Sequence, residues 1–248
     1  MTSDGKRESA GWVKHAPKRF YTRVIVAPLA EAGRFTVTLD DRPLRCPGGA
    51  PFSAPRPVAE AAAEEWEAVA ERIDPSAMPV TKAVNSAVEQ VAPQREAVIE
   101  EIAGYGGSDL LCYRAEAPQA LAAREAAVWD PVLDWAGDRF GARLKTGAGI
   151  TPIAQPPQAL DALRAAVSRR CDLGLTALSD LVGLSGSLLL GLAVAEDRLS
   201  PSEGWSASRI DEDWQIEQWG RDAEAEAMTA ERRKAFEAAG RLAALLRG

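Results

Sequence analysis

The chain has 248 residues, 46% of them hydrophobic, with 36 Asp and Glu against 29 Lys and Arg, a formal net charge of −7. That balance argues against nucleic acid as the main partner, because neutralising phosphates takes a basic face. A single histidine, His15, and the lack of any GxxxxGK[ST] sequence argue against His-based triads, His-based zinc sites and a P-loop.

In chain order, residues 1–17 are polar and are expected to form a flexible tail. No apolar signal region occurs there, so a cytoplasmic location is expected. Residues 20–26 are rich in β-branched and aromatic side chains, and Phe35, Val37 and Leu39 alternate with polar neighbours; both read as strands. Asp40-Asp41 predicts a turn into a short strand at 42–45, with a fourth possible at 51–54. Pro55 and Pro57 stop this pattern, and an Ala/Glu-rich helix carrying Trp66 is predicted over 58–73.

Further helices are predicted over 81–91, 93–105 and 119–140, the last kinked or broken at Asp130-Pro131. After a glycine-rich link at 145–153, helices follow at 157–168, 174–182, 185–196 and 210–246, the final one breaking near Gly220 or Met228. The apolar run 181–194 is too short to span a bilayer and reads as a buried helix. Strands first and helices after indicate an α+β fold. A small N-terminal antiparallel β domain, 18–56, would precede a larger all-helical domain, 57–248.

Chemistry-bearing patterns are sparse. Cys46, Cys112 and Cys171 form no CxxC pair and read as reduced thiols. Gly183-Leu-Ser-Gly-Ser187 resembles a nucleophile elbow, but serine replaces its last glycine and it lacks a histidine partner. Neither cofactor nor metal is expected. Trp66, Trp129 and Trp135 read as core, since large aromatics dominate core energetics. Carboxylate pairs are plentiful enough to keep a carboxylate-dependent hydrolase open as an alternative.

The densest feature is Ile210 to Glu226, where Trp214 and Trp219 stand among seven carboxylates. At helical period, Ile210, Trp214, Glu217 and Arg221 line one side, and Glu212, Ile216, Trp219 and Ala223 nearly the opposite one. Large apolar groups on both sides predict two neighbours for this helix, one of which could be another protein.

Several short motifs, in order, resemble the ATP12 family of F1-ATPase assembly chaperones. They are Arg19-Phe-Tyr, Leu39-Asp-Asp-Arg-Pro-Leu44, Glu65-Trp66, Met78-Pro-Val-Thr81, Asp109-Leu-Leu-Cys-Tyr-Arg114, Trp129-Asp-Pro131, Trp135 and Asp213-Trp-Gln-Ile-Glu-Gln-Trp-Gly220. Asp41 departs from the family's usual turn glycine and Val80 from a common leucine. The resemblance implies a non-catalytic chaperone, expected to be monomeric, that binds the free F1 α subunit and shields its interface until β replaces it. It implies a bacterial cytoplasmic protein, or a mitochondrial one in a eukaryote. Within it, Glu212, Asp213, Glu217, Trp219 and Glu224 are the expected partner-binding residues, because carboxylates beside aromatics suit an interface that must both cover and release. A scaffold binding some other protein through the same helix is the remaining alternative.

Overall fold

The computed structural model describes residues 17–220 and 222–247. The expected tail up to residue 16, including His15, lies outside the described residues. What is described divides into two compact units, one ending at Gln90 and one running from Val91 to Arg247.

In the first unit, β1 (Val24–Pro28), β2 (Phe35–Leu39) and β3 (Arg42–Pro43) form an antiparallel sheet in that order. Val26 stands opposite Val37 and Val24 opposite Leu39. β1 begins later than its composition predicts because the preceding chain is tied to the turn: Asp40 Oδ1 accepts from the N–H groups of Thr22, at 3.1 Å, and Arg23, at 2.9 Å. Those bonds hold the Asp40 carboxyl below its ordinary range. The left-handed residue of the turn is Asp40, at φ 55°, so Asp41 is not at the position where the turn favours glycine. Residues 51–54 make only isolated bridges, Pro51 with Arg45 and Ala54 with Phe35, rather than a fourth strand.

Helix α1 (Arg56–Glu67) buries Val58, Ala59, Ala62 and Trp66, packing on β1 and β2. It starts with Pro57 in its first turn and ends six residues before the sequence pattern does. Its C-terminal carboxylate does the next job: Glu65 accepts from the N–H groups of Val80 and Thr81, at 2.7 and 2.8 Å, capping α2 (Pro79–Ser86). This ties the Glu65-Trp66 motif to Met78-Pro-Val-Thr81. The first unit takes in α1 and α2 along with the sheet and runs to Gln90.

The second unit is built from α3 (Arg95–Gly104), α4 (Gln119–Phe140), α5 (Pro157–Ser168), α6 (Asp172–Ser185), α7 (Leu188–Ala195), α8 (Pro201–Ala207), α9 (Ile210–Trp219) and α10 (Ala223–Leu245). Helix α7 is buried on every side, as a uniformly apolar helix must be. Helices α4, α6, α8 and α10 pack around it. Helix α4 continues through Pro131 without the break considered there, with Trp129 and Val132 both seated in the core. Burying that apolar face outweighs the backbone hydrogen bond that Pro131 cannot make. Two-residue strands β4 (Tyr113–Arg114) and β5 (Gly147–Ala148) pair in parallel.

Helix α8 is not among the predicted helices, although its start carries a complete capping box, Ser200 to Glu203. The predicted C-terminal helix does break at Gly220, which ends α9 at φ 90°, and Asp222 then caps α10.

The segment 109–114 is the internal staple of this unit. Asp109 is fully buried and accepts from the Leu111 and Leu189 N–H groups, both at 3.0 Å, and from Ser187 Oγ at 2.7 Å. It thereby caps α7 from a distant part of the chain. Burial raises the Asp109 carboxyl and the bonds it accepts oppose that rise. Burial likewise pushes the neighbouring Cys112 thiol up to about 12, leaving it a small apolar side chain.

Candidate functional site

Helix α9 is anchored on one side. Ile210 is buried and Trp214 packs against the same core cluster. Beneath its start, Trp129 is 1% exposed, and its Nε1–H donates to the Ala207 carbonyl at 2.8 Å. The Arg114 guanidinium lies 5.0 Å from the Trp129 ring centroid, within cation–π range. A polar contact completes the join to α4: Arg124 Nη1 donates to both Glu217 oxygens, at 2.8 and 2.9 Å.

The opposite side is different. Trp219 is 80% exposed at the end of α9, where Gly220 terminates the helix. Of the two neighbours expected for this helix, the packing within the unit supplies one: α9 packs against α4 through Ile210, Trp214 and Glu217. A tryptophan left this exposed loses the burial that normally stabilises it by a few kcal/mol, which makes it a candidate contact residue.

The five expected binding residues fall into three settings. Asp213 lines an open groove of about 390 Å³ whose walls include Arg124, Val128, Leu199, Glu203 and Ile210. Glu217 stands one turn further along and is held by Arg124. Glu212 pairs with Arg209 at 2.8 Å, and that guanidinium sits 5.8 Å from the Trp205 ring. Trp219 belongs to the open side, seven residues from Glu212. Glu224 lies beyond the break, exposed in the first turn of α10, with its N–H given to the Asp222 cap at 2.8 Å. The structure thus gathers Asp213 and Glu217 on one edge and places Glu224 on a separate helix.

Sequence reasoning missed the other wall of the groove. Arg124, Val128 and Val132 recur at four-residue spacing on α4, but that stripe has meaning only once α9 is known to lie beside it. It also missed a carboxyl pair. Glu125 is buried, accepts from the Ala115 N–H at 2.8 Å, and shares a hydrogen bond with Asp211 at the start of α9. Burial above all, and then the Asp211 carboxyl, push Glu125 up to about 7, while the Ala115 N–H and Arg114 pull the other way. Asp211 Oδ1 is buried without a further partner. The pair joins α4 to α9 and does not line the groove, so it has no access to a substrate there. Among the described residues, no group of three or more metal-ligating side chains is placed to hold an ion, and no helix is long and apolar enough to cross a membrane.

The sequence profile of the ATP12 chaperone protein family matches residues 18–137. Over nearly its whole length the chain is similar to Atp12 from Paracoccus denitrificans: identity is 48%, 94% of this chain and 99% of that one are covered, and the TM-score is 0.89. A charge-reversal variant of the same Paracoccus protein superposes equally well, again at a TM-score of 0.89. A protein of Agrobacterium tumefaciens described as a candidate chaperone is 40% identical, with 99% of this chain and 92% of that one covered at a TM-score of 0.90. The chain belongs to the ATP12 chaperone family.

Proposed function

We propose that this protein is an assembly chaperone for the F1 sector of ATP synthase. It binds the free α subunit and shields the surface that α later gives to β. The observation that carries the reading is the asymmetry of α9: one side fixed in the core, the other ending in an exposed tryptophan beside carboxylates. Glu212, Asp213, Glu217, Trp219 and Glu224 form the contact region in this reading. An aromatic anchor supplies affinity and the surrounding carboxylates speed encounter with basic groups on the partner. Family membership supports the chaperone role, and the open groove supports binding over catalysis. Of its two acids, Glu203 is committed to the capping box, whose bonds lower its carboxyl.

The protein works as a monomer in a bacterial cytoplasm on this account, without a cofactor. The test is capture of separately prepared F1 subunits by the immobilised full chain. Retention of α, with suppressed aggregation of isolated α, is expected. Failure to retain α, or equal retention of unrelated unfolded proteins, would overturn the reading.

A further inference from the structure

Glu125 on α4 is almost wholly buried. Its carboxyl shares a hydrogen bond with Asp211 in the first turn of α9, whose Oδ1 is buried and receives no donor from any described residue. Two ionised carboxylates have no donor between them, so this contact exists only while one of them carries a proton. Other charges close by are already engaged. Arg114 on β4 faces Glu125, but its guanidinium donates to the Leu111 carbonyl and to Asp130. On α9's own side, Arg209 pairs with Glu212. Helix α7 is wholly apolar, and Asp109 beside it serves as its cap. On α5, Asp161 is exposed and Arg164 is turned to Glu96 and Glu100. One turn along α4 from Glu125, Trp129 holds the Ala207 carbonyl, one turn before Asp211. One face of α4 therefore fastens the entry to α9 at two points, by an indole that does not titrate and by a proton. The third polar join, Arg124 to Glu217, is half-exposed and screened by solvent.

We propose that the proton held between Glu125 and Asp211 is a latch that seats the start of α9 on α4, and that its loss loosens α9 and weakens partner binding as pH rises. Once both groups are ionised, two like charges face each other in a site where burial strengthens their repulsion. Helix α9 has 10 residues, between the Arg209 cap and the Gly220 break, against 22 in α4, so α9 is the element that gives way. Glu125 does not line the groove and acts on the partner only through α9, as a positioning residue. The binding half of the proposal rests on the reading of α9 as the α-subunit contact and adds the regulation of that site. The fold holds this proton more tightly than a free carboxyl does, burial contributing most and Asp211 next. The latch is therefore closed at low pH and opens as pH rises through about 7.

The test has two readouts on the full chain at pH 6 and pH 8. The first, which needs no partner, is the hydrogen-exchange protection of the α9 amides, corrected for the intrinsic pH dependence of exchange. The second is affinity for isolated F1 α subunit. A chain competent only while it holds the proton is about nine-tenths competent at pH 6 and about one-tenth at pH 8, so the affinity should fall about tenfold. Protection of α9 should fall by up to about the same factor. Glu125→Gln places a permanent donor in the contact and should abolish both differences, leaving the pH 6 values at either pH. Asp211→Asn should do the same from the other side. The proposal is overturned if wild-type α9 protection is unchanged between pH 6 and pH 8, or if both folded variants keep the wild-type pH dependence. It is equally overturned if protection falls while affinity for α does not. Protection that falls in a chain that binds α at neither pH would support the latch and overturn the α-subunit contact, which separates the two failures.

Discussion

Two regions of the second unit gather carboxylates and end in opposite states. Around Asp109 every acceptor is used inside the chain: two backbone N–H groups and the Ser187 hydroxyl converge on one buried side chain. Along α9 the acids are only partly engaged. Glu212 and Glu217 each have one arginine at half-exposed positions, and Asp211 keeps a buried oxygen without a partner. The first arrangement fixes a helix, and the second leaves Glu212 and Glu217 partly exposed to solvent. What separates the two sets of carboxylates is the degree to which their hydrogen-bonding capacity is met locally.

The sharpest way to break this contrast is Asp109→Ala. It strands three donors in the core, and a loss of about 3–5 kcal/mol is expected from leaving a buried network without its acceptor. Denaturant unfolding measures it, and a loss below about 1 kcal/mol would show that the cap does not hold α7 in place.

Glu125→Gln should act in the other direction and only above acidic pH. The ordinary carboxyl value is 4.5 and the folded one about 7, so the fold holds this proton more tightly than the unfolded chain does. Its stabilisation is complete below 4.5, is lost as pH rises through about 7, and is level beyond. An uncharged amide keeps the bonds to Ala115 and Asp211 without that loss. The variant is therefore expected to melt several degrees higher than wild type at about pH 8 and to match it at about pH 4. Equal melting at both would show that Glu125 carries no shared proton.

The smallest expected effect on stability is that of Arg124→Ala. It removes the Glu217 pair, whose side chains are 39% and 50% exposed, so the stability change should stay within about 1 kcal/mol. A larger loss would move α9's acidic edge into the structural class with Asp109.

Much of this architecture was legible in the sequence. The strand alternation at Phe35–Leu39 and the helix at Pro157–Ser168 follow from local patterns and propensity alone. The break at Gly220 follows from the residue most able to adopt a positive φ. What eluded sequence reading depends on long-range contacts. Pro131 is a place where α4 could break, and the core contacts of Trp129 and Val132 favour its continuation. That α1, helical in composition, lies against the sheet is likewise set by long-range packing. At the candidate site, Trp219 and its acids announced themselves. Arg124 and Glu125 did not, since their partners are on α9, about ninety residues away in the chain.

The central claim is that the unanchored side of α9 is a protein-binding surface. The most direct test is the affinity of the full chain for isolated F1 α subunit, comparing wild type with Trp219→Asp and Glu212→Lys. Both variants should stay folded, with Trp219→Asp keeping the wild-type melting temperature and Glu212→Lys losing a little for the broken Arg209 pair, and at least one should bind α about tenfold more weakly. Undiminished affinity in two properly folded variants would contradict the claim and require the α contact to be sought on another surface.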